Sequence, residues 1–110
     1  MEPKFLIKEV KEGVEVLFTT SNGRKIFKSA KFADIDAAKD CINKLKRRCE
    51  SKYFILSEVD GKHYFTVRDR EDNLLCRSKD YTSRHRAKEG IVIALRDIPG
   101  AKKYTETELD

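Results

Sequence analysis

Val14-Glu15-Val16-Leu17-Phe18-Thr19 and, forty-nine residues further on, His63-Tyr64-Phe65-Thr66-Val67-Arg68 are the two stretches on which the fold turns. In the first, Val14, Val16 and Phe18 face one way while Glu15 and Thr19 face the other. In the second, His63, Phe65 and Val67 oppose Tyr64, Thr66 and Arg68. That period of two marks a strand in a sheet with one buried face. The same forty-nine-residue step, the distance from Phe5 to Phe54, registers the chain on itself without a gap. Glu9-Val10 falls on Glu58-Val59, Lys28-Ser29 on Arg77-Ser78, Phe32 on Tyr81, Ala38-Lys39 on Ala87-Lys88 and Ile42 on Ile91. A repeat of this kind constrains the architecture before any single element does.

Working outward, Phe5–Val10 and Phe54–Val59 are aromatic and β-branched runs that predict a strand ahead of each alternating stretch. Lys11-Glu12-Gly13 and Asp60-Gly61-Lys62 supply the intervening turns. Asn22-Gly23 predicts a two-residue hairpin turn, since both positions tolerate positive φ. Arg70-Glu71-Asp72-Asn73 stands in its place as a looser turn. Short third strands follow around Lys25–Ser29 and Leu74–Ser78. A helix then begins at Asp34 in the first repeat and at Thr82 or Ser83 in the second, all good N-cap residues. Ile35, Ala38, Ile42, Leu45 and Cys49 give one helix its apolar stripe. Ala87, Ile91, Ala94, Leu95 and Ile98 do so for the other, which ends at Pro99-Gly100. The expectation is an α+β fold over residues 1–110: one domain of two repeats, 4–50 and 53–110, sharing one antiparallel sheet with both helices on one face.

Bulk properties exclude several classes. The N-terminal Met1-Glu2-Pro3-Lys4 lacks the apolar stretch of a signal peptide, and no apolar run nears the ~20 residues of a membrane helix. Cys41, Cys49 and Cys76 are odd in number and form no CxxC pair, so they read as reduced thiols of a cytoplasmic protein. A net charge of +5 arises from 24 basic and 19 acidic residues, a mild pointer to polyanions.

Gly61-Lys62-His63-Tyr64-Phe65-Thr66-Val67, then Ser78-Lys79-Asp80-Tyr81-Thr82-Ser83, then Ala87-Lys88-Glu89-Gly90-Ile91 resemble the YegP-like family, a bacterial and archaeal domain of unknown function. The first repeat carries the same pattern in Val14–Phe18, Asn22-Gly23, Ser29–Phe32 and Ala38–Ile42. The resemblance implies β(3)-α-β units sharing one sheet, with the last strands swapped between halves. Lys102–Leu109 then returns as a strand on the first half, and the segment around Lys52–Leu56 closes the first repeat by merging into the next strand. The family brings no activity to carry over. Cys41 stands where the second helix has Gly90, and the second repeat lacks Asn-Gly.

Nothing in the residues assembles a catalytic or metal site, and no cofactor or small-molecule ligand is expected. His63 takes the strand position of Val14, and His85 lies in a helical first turn between Arg84 and Arg86. The cysteines fall on apolar positions, where small core residues belong. Glu9 and Glu58 match across the repeats, as do Ser29 and Ser78, but no base or oxyanion loop accompanies them. The glutamates read as solvent-facing and the serines as bonding the backbone where strand turns to helix.

Two features remain as candidates. Lys44, Lys46, Arg47 and Arg48 crowd the end of the first helix, and Arg84, Arg86 and Lys88 open the second. The first cluster also opposes the helix dipole; the second has no such reason, and together they could hold phosphates. Phe5, Tyr53, Phe54 and Tyr64 could stack bases if the sheet face is open, although half of them suit the core. The second candidate is an asymmetry: Asn43-Lys44 becomes Val92-Ile93 in the second helix. Counted about 100° per residue from Ile91, Ile93 projects opposite the stripe and requires a cover from the C-terminal segment or another chain. Gly90 would let the second helix approach the first near Cys41. The reading is a non-enzymatic protein-interaction or self-associating module; the alternative is a nucleic-acid or polyanion binder, with an enzyme a distant third.

Overall fold

The computed structural model describes residues 2–106. Seven strands form one sheet: β1 (Lys4–Val10), β2 (Gly13–Thr19), β3 (Lys25–Lys28), β4 (Ile55–Val59), β5 (Lys62–Arg68), β6 (Leu74–Ser78) and β7 (Lys102–Thr105), in the order β4-β5-β6-β3-β2-β1-β7. Helices α1 (Ile35–Arg47) and α2 (Arg84–Asp97) each follow three strands, making a mixed α+β fold. Asp34 caps α1 by accepting from the Ala37 amide, and Ser83, not Thr82, caps α2 by accepting from Arg86.

The alternating stretches pack as their pattern predicts. Val14, Val16, Phe18, Phe65 and Val67 are buried, as are Ala38, Ile42 and Leu45 of α1 and Ala87, Ile91 and Ala94 of α2. One aromatic chain runs through the core, with ring centroids of Phe5 and Phe18 5.0 Å apart, Phe18 and Phe27 4.7 Å, Phe27 and Phe65 6.4 Å, and Phe65 and Phe54 5.6 Å. Geometry recurs at the forty-nine-residue step. Val14 pairs with Phe32 and His63 with Tyr81. The Val16 amide donates to Ser29 Oγ, and the Phe65 amide to Ser78 Oγ. These buried serines also donate to the Ala30 and Lys79 carbonyls just past the ends of β3 and β6, the expected backbone bonds between strand and helix, and add a cross-strand acceptor to them.

The sheet is not wholly antiparallel. β7 does return to the first half, but it lies parallel to β1, Leu6 facing Tyr104. Leu109 of the expected strand lies outside the described residues. Nor does the segment around Lys52–Leu56 close the first repeat: Ser51–Tyr53 is a 3-10 turn, and β4 pairs with β5 alone. Among the described residues nothing mirrors β7 there, and β4 ends the sheet.

The β2–β3 and β5–β6 loops differ from expectation in the same way. In the first, the Thr20 amide donates to Arg24 O and the Gly23 amide to Thr20 O, with positive φ (82°) at Gly23 and not at Asn22. This is a three-residue loop closed by one left-handed residue. The second is no looser: the Asp69 amide donates to Asn73 O, the Asp72 amide to Asp69 O, and Asp72 takes φ 66°. Aspartate tolerates this region better than most residues but still at a cost of about 1 kcal/mol. Asp72→Gly removes that strain while loosening the unfolded chain. A net gain of about 0.5 kcal/mol is expected in chemical denaturation; a loss would show that Asp72 is unstrained.

Candidate functional site

The last turn of α1 and the loop between β5 and β6 face each other across a cleft of about 420 Å³, lined by Lys44, Arg47, Arg48, Tyr53, Asp69, Arg70 and Glu71. The cations differ in their engagement. Lys44 Nζ lies 3.2 Å from Asp40 and 3.6 Å from Asp69. Its ammonium is held charged above the ordinary range, chiefly by the bond to Asp40. The Asp69 carboxylate accepts from the Asn73 and Glu71 amides, which hold it ionised below the usual range, Asn73 foremost. The Arg48 guanidinium lies 3.8 Å from the Tyr53 ring centroid, and its Nε is buried with no partner among the described residues. Arg47 and Arg70 make no side-chain hydrogen bond or ion pair among those residues.

The remaining basic candidates do not join this cleft. Lys46 donates to the Ala101 carbonyl at 2.8 Å and ties α1 to the chain leading into β7. Cys49 Sγ reaches the Leu95 carbonyl at 3.6 Å, so the C-terminal ends of the two helices meet. Arg84, Arg86 and Lys88 lie at the other end of α2, a fourteen-residue helix about 21 Å long. The two basic clusters therefore form no single surface. The aromatics share no open sheet face either, since Tyr53 lies in the 3-10 turn and not in the sheet. Phe5 and Phe54 are buried, and Arg77 lies 4.0 Å over Tyr64.

Ile93 is not the outward residue. It is partly buried against the core, whereas Val92 is 64% exposed. The buried stripe includes Gly90, Ala94 and Asp97 as well as Ile91. Its centre thus lies beside Ile91, and Val92 falls opposite. Gly90 has a different neighbour from the expected one: a Cβ there would collide with the Tyr81 hydroxyl, not approach Cys41.

Among the described residues, the other exposed large apolar side chains are Ile55 and Val59, both on β4. Which of that strand's backbone groups are free follows from its neighbours. His63 exchanges amide–carbonyl bonds with Tyr81, and the Phe65 amide turns to Ser78, so these β5 residues bond towards β6. Lys62, Tyr64 and Thr66 must then bond towards β4, opposite Val59, Ser57 and Ile55. Leu56 and Glu58 are left pointing outward. On the corresponding edge of β1, β7 pairs as far as Ile7, the counterpart of Leu56; beside β4 there is no described strand.

No nucleophile emerges from the thiols. Burial pushes Cys41 up to about 12 and raises Cys76 and Cys49 as well. Among the described residues, no three His, Cys, Asp or Glu converge as a metal site. His63 Nε2 lies 3.7 Å from Glu58, and His85 Nε2 3.0 Å from Glu89. Glu9 and Glu58 are exposed. No helix of the described residues is long and apolar enough to cross a membrane.

Residues 59–104 match the family described as "Domain of unknown function (DUF1508)". Two solution structures share the fold over nearly its whole length. One is the protein of unknown function yegP from E. coli, 16% identical, covering 96% of this chain and 95% of that one with a TM-score of 0.86. The other is a UPF0339 protein from Shewanella oneidensis, 15% identical, covering 96% and 94% with a TM-score of 0.85. The fold is YegP-like. The sequence match falls on the second half, and the YegP-like fold embraces both. No curated protein matches the chain significantly in sequence.

Proposed function

We propose that this YegP-like chain is a non-enzymatic, cytoplasmic self-association module, one domain of two repeats (4–50 and 53–110), that pairs through β4 with a second copy. The carrying observation is the open edge at Leu56 and Glu58 flanked by exposed Ile55 and Val59. Sheets ordinarily protect such edges with lysine, proline or bulges. β7 carries Lys102 and Lys103 at its edge, while β4 reads Ile-Leu-Ser-Glu-Val. Two β4 strands laid antiparallel about Ser57 match their own registers. Leu56 of each meets Glu58 of the other, which exchanges four backbone bonds, and Ile55 of each meets Val59 of the other. A two-fold axis through Ser57 closes the assembly at two chains. The recurring Val14–Phe32 and His63–Tyr81 pairings support the repeat reading, and three free thiols fit a reducing compartment.

Sedimentation should therefore show a dimer at high concentration. It should tighten with added salt, because two chains of +5 repel. Ile55→Lys should shift the protein to monomer without lowering its melting temperature. Glu58→Pro should do the same, since its amide faces outward and leaves the β5 pairing intact. A wild type that stays monomeric at millimolar concentration, or a dimer indifferent to both changes, would refute the reading.

A further inference from the structure

The α1 cleft has a closed counterpart at the matching place in the other half. At the end of α2, the Asp97 carboxylate bridges to the β2–β3 loop. It accepts from the Ser21 amide at 3.1 Å and the Ser21 hydroxyl at 3.3 Å, while Arg96 Nε donates to it at 2.9 Å. Stepping back forty-nine residues from Arg96 and Asp97 gives Arg47 and Arg48; stepping forward from Ser21 gives Arg70. The cleft thus keeps the helix-end arginine but has cations, Arg48 and Arg70, where the bridging carboxylate and the loop serine stand. Where one half is latched by its own anion, the other presents Arg47, Arg48 and Arg70 around a cleft of about 420 Å³.

We infer that this cleft binds the phosphate group of a small phosphorylated molecule, held by Arg47, Arg48 and Arg70 where the other half places the Asp97 carboxylate. The helix dipole alone would account for cations on α1, but not for Arg70, which arrives from a different element. The carboxylates lining the cleft do not cancel the arginines. Asp69 is engaged by Lys44 and two loop amides, which leaves Glu71 as the opposing charge. Arginine is the side chain suited to forked contact with phosphate oxygens, and the cleft presents three. The Arg48–Tyr53 stack adds a flat wall that suits an aryl or other planar group beside the phosphate.

The test is titration of ¹⁵N-labelled protein with inorganic phosphate and phenyl phosphate, against sodium chloride at equal ionic strength. Saturable shifts are expected at the amides of residues 47, 48 and 70, with phenyl phosphate the tighter ligand. Arg70→Glu, on an exposed loop, should weaken binding at least tenfold, and Arg84→Glu at the far end of α2 should leave it unchanged. Arg48→Asp is the decisive variant, because it restores the latch chemistry of the other half. It should abolish binding and raise the melting temperature together. Equal shifts with chloride would reduce the effect to screening and overturn the inference. So would shifts spread equally over residues 84–88, undiminished binding by Arg48→Asp, or a single-stranded oligonucleotide binding far more tightly than its mononucleotide.

Discussion

Gly90→Ala should destabilise the fold by about 2 kcal/mol, although alanine is the better helix former by about 1 kcal/mol. The steric term wins because of where Gly90 lies. An added Cβ would overlap the Tyr81 hydroxyl, sit 2.8 Å from its Cζ and touch Phe65 at 3.4 Å. Tyr81 cannot slide away, since its amide and carbonyl are both bonded to His63, at 2.7 and 3.0 Å. Its hydroxyl is buried without a partner among the described residues, and burial keeps it protonated by raising its pKa. At the same place in the other half, Phe32 lacks the hydroxyl and Cys41 has the Cβ. One half fills the volume from the helix and the other from the strand. Tyr81→Phe alone should then be neutral or slightly stabilising, because it removes an unsatisfied polar group. In that background Gly90→Ala should recover at least half its cost; the close Cζ keeps recovery partial. A double-mutant cycle in urea measures the coupling. A value under about 0.5 kcal/mol would show that the two sites are not complementary.

That exchange of hydroxyl for Cβ was visible in the sequence as Phe32/Tyr81 and Cys41/Gly90, but only a contact makes it meaningful. Alternation along β2 and β5, the caps at Asp34 and Ser83, and the correspondence of Val14 and Phe32 with His63 and Tyr81 were legible because each depends on local periodicity or on self-comparison. The sense of β7 was not, since parallel or antiparallel docking depends on the path of the whole chain. The turn at Asp72 was misjudged because aspartate can imitate glycine at positive φ. Ile93 was placed outward because the stripe was centred on Ile91, when glycine and aspartate extend it to the other side. The basic residues were read as one class, yet contacts divide them. Lys46 bonds Ala101, Lys44 is paired with aspartates, and Arg47, Arg48 and Arg70 share a cleft. Arg70 stands in a loop where the two halves diverge, but only the fold brings that loop to the end of α1.

Asp97 was missed too, and a signal for it existed: an acid in the last turn of a helix opposes the dipole and needs another reason to be there. Only 7% exposed, its carboxylate joins the end of α2 to the β2–β3 loop through Ser21 and is flanked by Arg96. Asp97→Ala should cost about 2 kcal/mol, the scale for losing hydrogen bonds to a charged acceptor in a partly buried place. The pH dependence has a definite sign. The bond from Arg96, then those from Ser21, hold Asp97 below the ordinary carboxylate range, against the upward push of burial. A depressed folded pKa means the stabilisation is complete above the unfolded value of about 4 and fades as pH falls towards the folded one. Wild type and Asp97→Ala should therefore differ most at neutral pH and converge in acid, when unfolding midpoints are compared from pH 7 to pH 2. Asp97→Asn should fall between them, keeping an acceptor for Ser21 while losing the charge that Arg96 complements. If the gap between wild type and Asp97→Ala persisted undiminished at pH 2, the latch would be a matter of packing and not of charge. The contrast with Arg48→Asp would then lose its electrostatic basis.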